Sequence, residues 1–126
     1  MEPPPKDAFQ LETFGTIRAA VIPCHRLTAA YTADGILAAQ LNNHIIRIFN
    51  TYLGEQRISL RTWCMQKNHS YRRWGKLVNG ETWLNTTDIT TLLTTHERIR
   101  IPILQALQQT KRVTNDSETS FGQINV

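Results

Sequence analysis

A chain of 126 residues, 40% hydrophobic and 19% charged, has material for one domain with its own core and not for two. No apolar run approaches the roughly 18 residues that a membrane span needs, so no membrane partner is expected. The formal net charge is +4, yet Arg57, Arg61, Lys67, Arg72, Arg73 and Lys76 all fall between Glu55 and Glu81, a window without an acidic residue. Basicity confined in this way points to a polyanion partner, nucleic acid first, with a solvated basic face as the alternative.

The opening Met1-Glu-Pro-Pro-Pro-Lys6 lacks the basic start and apolar stretch of a secretion signal, so an intracellular protein with Cys24 and Cys64 as reduced thiols is expected. Its three prolines favour an extended arm over residues 1–9. The polar stretch 114–126 is expected to be a disordered tail, which leaves 10–113 as the folded domain.

In chain order, Pro23 suits the start of a helix running from Cys24 to Ala33, with Asp34-Gly35 as its stop. Ile36–Leu41 then reads as a strand, and His44–Leu53 is ambiguous between a strand and a short helix. Arg57–Met65 alternates, with Ile58, Leu60, Thr62 and Cys64 on one face and Arg57, Ser59, Arg61 and Trp63 on the other, the pattern of a half-buried strand. Asn68 suits the N-cap of a helix over His69–Asn79, in which Tyr71, Trp74, Leu77 and Val78 recur at helical spacing opposite Arg72, Arg73 and Lys76. Two β-branched stretches, Glu81–Asn85 and Asp88–Thr94, read as a hairpin. A last helix begins near Thr94, whose spacing to Glu97 fits a capping box, or else follows a strand over Arg98–Ile101 and opens at Pro102. The expected fold class is α+β, an αββαββα-type domain whose antiparallel sheet carries helices on one face and leaves the other free for a ligand.

Leu27-Thr-Ala-Ala-Tyr-Thr-Ala-Asp-Gly35 resembles the signature of the LAGLIDADG homing endonucleases, and the order of elements after it is similar to that family over roughly 23–109. The resemblance implies a sequence-specific DNA endonuclease whose saddle-like sheet lies in the major groove of double-stranded DNA. With one signature, it implies a homodimer joined through Ala29 and Ala33. It places Asp34 as the catalytic carboxylate, Asp34 and the Gly35 carbonyl as ligands of Mg2+, and Arg98, or else His96, as the supporting basic residue. Gln40, Asn42, Arg57, Ser59, Arg61 and Lys67 would then contact bases and phosphates. The family's range leaves an organellar address open.

Other readings stay open beside it. Ile22-Pro-Cys-His-Arg26 reproduces the active-site pentapeptide of the DNA alkyltransferases, and Cys24, His25, Cys64 and His69 could be drawn together as zinc ligands, though at no standard spacing. Trp83-Leu-Asn-Thr-Thr87 is similar to part of the KilA-N and APSES DNA-binding domains, which implies DNA binding without metal or cleavage. A viral or structural protein that binds RNA or a protein partner is the remaining class.

Overall fold

A computed structural model describes the backbone of residues 2–120 and the side chains of residues 2–109. Among the described residues it holds six helices: α1 (Cys24–Ala30), α2 (Ala33–Gln56), α3 (Leu60–Lys67), α4 (Tyr71–Val78), α5 (Thr86–Thr95) and α6 (Glu97–Ser120). They contain no strand, only an isolated bridge between Phe9 and Val21. The expected α+β class with a saddle-like sheet is thereby corrected to an all-helical one.

Most of the expected strand residues are helical, for local reasons. In place of the stop expected at Asp34-Gly35, Thr32 caps a new helix by accepting the Gly35 N–H at 3.0 Å. Ile36–Leu41 then runs on into α2, whose buried residues Ala39, Asn42, Ile45, Ile46, Phe49 and Leu53 follow the helical period. In Arg57–Met65 the alternation is coincidental. Ser59 caps α3 by accepting the Thr62 N–H at 3.0 Å, and the neighbours Trp63 and Cys64 are both buried, which no two-sided strand allows.

Of the expected hairpin, Asp88–Thr94 lies in α5, opened by a capping box in which Asn85 and Asp88 each accept the other's backbone N–H, whereas Glu81–Asn85 is the irregular segment before it. Its threonines are accommodated because Thr90, Thr91, Thr94 and Thr95 donate their hydroxyls to carbonyls four residues back. The helix expected over His69–Asn79 is present as α4, with Ser70 rather than Asn68 as its cap. The last helix, α6, starts at Glu97 and holds Pro102 in its interior.

The core gathers around α2. Ile45, Phe49 and Leu53 meet Trp63 and Cys64 of α3, Trp74 and Leu77 of α4, Leu92 of α5, and Ile99 and Ile103 of α6. A second cluster joins Ala8 and Phe9 to Leu27, Tyr31 and Ala39. The N-terminal segment expected as an extended arm is therefore packed: Pro5 and Ala8 are buried, the Lys6 N–H bonds the Gly80 carbonyl at 3.0 Å, and Tyr31 Oη donates to the Pro4 carbonyl at 2.6 Å. Of the expected tail, 114–120 continue α6, and 121–126 lie outside the described residues.

Candidate nucleic-acid interface

The basic window folds into two eight-residue helices, α3 and α4, separated only by Asn68, His69 and Ser70. Asn68 makes so short a turn possible by taking the left-handed conformation at φ 59, which lets the His69 N–H reach back to the Cys64 carbonyl at 2.8 Å. Ser70 then accepts the Arg73 N–H at 3.2 Å and starts α4.

Aromatic packing fixes how the two helices sit together. The Trp63 and Trp74 rings meet edge-on at 5.0 Å, His69 stacks on Trp63 at 5.0 Å, and Phe49 of α2 packs on Trp63 at 4.8 Å and on Trp74 at 5.7 Å. The edge-to-face pairs Trp63–Trp74 and Phe49–Trp63 add about 0.5–1.5 kcal/mol each beyond their buried area and tie α3 and α4 to α2. A further tie runs from α4 to α5, where Arg73 Nη2 donates to Asp88 Oδ2 at 2.6 Å. Asp88 pushes the Arg73 guanidinium further above its ordinary range through that hydrogen bond and its charge.

What α4 leaves outside is a polar, basic ridge. Trp74 and Leu77 face the core, so the helical period puts Arg72, Lys76 and Asn79 on the opposite side, all exposed. Tyr71 stands on the flank toward α3, 45% exposed, with the Arg61 guanidinium 4.6 Å from its ring centre. Arg73 stands on the other flank, beside a groove of about 310 Å³ lined by Ser70, Arg72, Arg73, Lys76 and Thr82. A wider groove of about 1130 Å³, between the N-terminal segment and the end of α4, mixes Lys6 and Arg26 with Asp7, Glu12 and Glu81 and so presents no single sign of charge.

The residues singled out in the sequence are dispersed. Arg57, Ser59, Arg61 and Lys67 lie on or beside α3: Arg57 ends α2 in the left-handed conformation, Ser59 is a cap, and Arg61 and Lys67 are exposed. Gln40 is exposed on α2, whereas Asn42 is buried, its Nδ2 donating to the Ala38 carbonyl at 2.9 Å and its Oδ1 accepting the Leu84 N–H at 2.8 Å. No sheet unites these six positions.

Ala29 and Ala33, expected four apart on one helix, fall on α1 and α2 with a break at Tyr31 and Thr32 between them. Asp34 is exposed in the first turn of α2, where a carboxylate suits the helix dipole, and Gly35 packs against the Glu2 carboxylate. Arg98 faces Glu55 at 3.6 Å, at the far end of α2. Asp34 and Glu55 are twenty-one residues apart on that helix, which at 1.5 Å per residue separates Asp34 from the neighbourhood of Arg98 by about 30 Å. The two expected catalytic groups are not brought together in one chain.

Cys24 is exposed and Cys64 buried, where burial pushes its thiol up. The described residues contain no group of three or more His, Cys, Asp or Glu able to hold a metal ion. No described helix is long and apolar enough to cross a membrane.

Residues that the expected site left out are Tyr71, Arg72, Lys76 and Asn79. The helical spacing had put Arg72 and Lys76 on an outer face, but a sheet in front of that helix would have made the face a rear one. Neither a family model, nor a curated protein, nor a solved structure matches this chain.

Proposed function

We propose that this chain is a non-enzymatic DNA-binding domain of helix–turn–helix make, with α4 as the helix that enters the major groove and α3 as the helix that crosses the backbone. The observation that carries the reading is the α3–Asn68–α4 unit. Two short helices joined by a three-residue turn, locked by aromatic packing, present a ridge of Arg72, Lys76 and Asn79 in a window free of acidic side chains. Arg72 has the forked donors that suit guanine, and Asn79, whose Nδ2 donates to Glu81 Oε2 at 3.4 Å, would exchange that bond for one to adenine. Arg61 and Lys67, on α3, suit phosphates. This keeps double-stranded DNA as the partner and moves the reading surface from a sheet to a helix.

Selection from a randomised duplex library, with and without magnesium, tests the reading on wild type and on the double variant Arg72→Ala, Lys76→Ala. An enriched motif bound by wild type and lost in a folded double variant is the expected result. Recovery of no duplex above background by folded wild type sinks it. Strand ends that form only with magnesium, and disappear in Asp34→Asn, would instead favour the endonuclease that the signature resemblance implies.

A further inference from the structure

The groove beside α4 shares Arg72 and Lys76 with the ridge and adds Ser70, Arg73 and Thr82 to them. Its lining supplies two hydroxyls, Ser70 and Thr82, and three cationic heads, Arg72, Arg73 and Lys76. Asp88 is taken up by Arg73 and by the Asn85 N–H, and neither Arg72 nor Lys76 makes an ion pair among the described residues. Thr82 comes from the segment between α4 and α5, outside the helix pair, so the groove is lined from two parts of the chain.

A helix about 10–12 Å across fills a major groove about 12 Å wide, so its two flanks meet the sugar–phosphate walls while its outer ridge meets base edges. We propose that the Ser70–Lys76–Thr82 groove seats one phosphate group. On the DNA-binding reading, on which the duplex source rests, that group is a backbone phosphodiester on the side of α4 facing α5. Lys76, at the edge of the ridge toward Arg73, and Thr82 then set register and affinity without reading sequence, and sequence is read from the rest of the ridge.

The test compares wild type, Lys76→Gln and Thr82→Glu on the selected duplex and on duplexes with single base substitutions, across a salt series. For Lys76→Gln the slope of log affinity against log salt is expected to fall by about 0.9, one phosphate's worth, with the ranking of base substitutions unchanged. Thr82→Glu is expected to weaken every duplex alike, by a factor that shrinks as salt rises. A changed ranking with an unchanged slope would mean that the groove reads bases, and overturns the proposal.

Titration of the free protein with inorganic phosphate, followed by amide NMR, separates the two sources of phosphate. If wild type binds no duplex, the DNA reading fails. Shifts confined to Ser70, Lys76 and Thr82 would then keep the groove as a site for a free phosphate ligand, and their absence overturns it as well.

Discussion

Arg73 Nη2 meets Asp88 Oδ2 at 2.6 Å, and the same carboxylate oxygen accepts the Asn85 N–H at 3.0 Å. One buried atom thus ties the basic helix α4 to the first turn of α5. The Asp88 side chain is 5% exposed and that of Arg73 44%, so the pair is asymmetric: the carboxylate depends on its partners, while the guanidinium can turn to water.

Asp88→Ala removes both the tie and half of the capping box, and is expected to destabilise the domain by about 1–3 kcal/mol. Arg73→Ala leaves a buried carboxylate with its cap bond alone. Because solvent already reaches the guanidinium, its loss is expected nearer the lower end, about 1–2 kcal/mol. Urea denaturation of both variants checks the order, and an Asp88→Ala protein as stable as wild type would show that the tie holds nothing.

The turn between α3 and α4 makes the second prediction. Asn68 sits at φ 59, a conformation that asparagine tolerates and glycine adopts without strain. Asn68→Gly is expected to be neutral or to stabilise by up to about 1 kcal/mol, and to keep the helix pair intact. Asn68→Val, β-branched in the left-handed region, is expected to lose about 1–2 kcal/mol. Thermal melts distinguish them, and equal melting points for the two would mean that the turn relaxes to another geometry.

Part of the helical architecture was legible: α1, α4 through its Tyr71, Trp74, Leu77 spacing, and the last helix were expected, whereas α2, α3 and α5 were read as strands or left ambiguous. It was lost where short-range signals competed. Thr-rich α5 looks like a strand until its Asn85-x-x-Asp88 box is weighed above β-propensity, and its hydroxyls bond along the helix instead of standing free. In α3 a run of alternating residues concealed the Ser59 cap. Gly35 looked like a helix stop because Asp-Gly is so often a turn, whereas here Thr32 caps the backbone there. The positive window was visible from charge alone. Helical spacing also put Arg72, Arg73 and Lys76 opposite Trp74 and Leu77, but how α3 and α4 sit together was not legible, because that depends on tertiary packing of Trp63 and Trp74 against Phe49.

Two glycines, one inside α4 and one just after it, are expected to respond in opposite directions. Gly80 lies at φ 75, and a Cβ there would stand 2.7 Å from Phe14 Cδ2 and 2.8 Å from Lys6 Cβ, so Gly80→Ala is expected to cost about 1–3 kcal/mol and to loosen the N-terminal segment. Gly75 is inside α4 with open space around its Cβ, so Gly75→Ala is expected to stabilise by about 0.5–1 kcal/mol. Hydrogen exchange at Ala8 and Phe9 reports the first effect, and denaturant midpoints report both. A destabilised Gly75→Ala protein would contradict the placement of that face in solvent.

Stability is expected to fall at both ends of the pH scale through two groups on opposite sides of neutrality. Burial, with Asp7 and Glu2 adding, pushes the Tyr31 phenol from 10.0 up to about 12. The folded chain therefore holds that proton more tightly than the unfolded one, so the stabilisation is complete below pH about 10 and is lost as pH rises toward about 12. His44 moves the other way, since burial and then Arg47 push its imidazole below 6.5. The unfolded chain binds that proton first, so the stability is complete above the unfolded value and falls as pH drops through the folded one. Melting temperatures against pH are expected to fall along an alkaline limb that Tyr31→Phe flattens and an acid limb that His44→Gln reduces. Unchanged limbs in the two variants would assign the pH dependence to other groups.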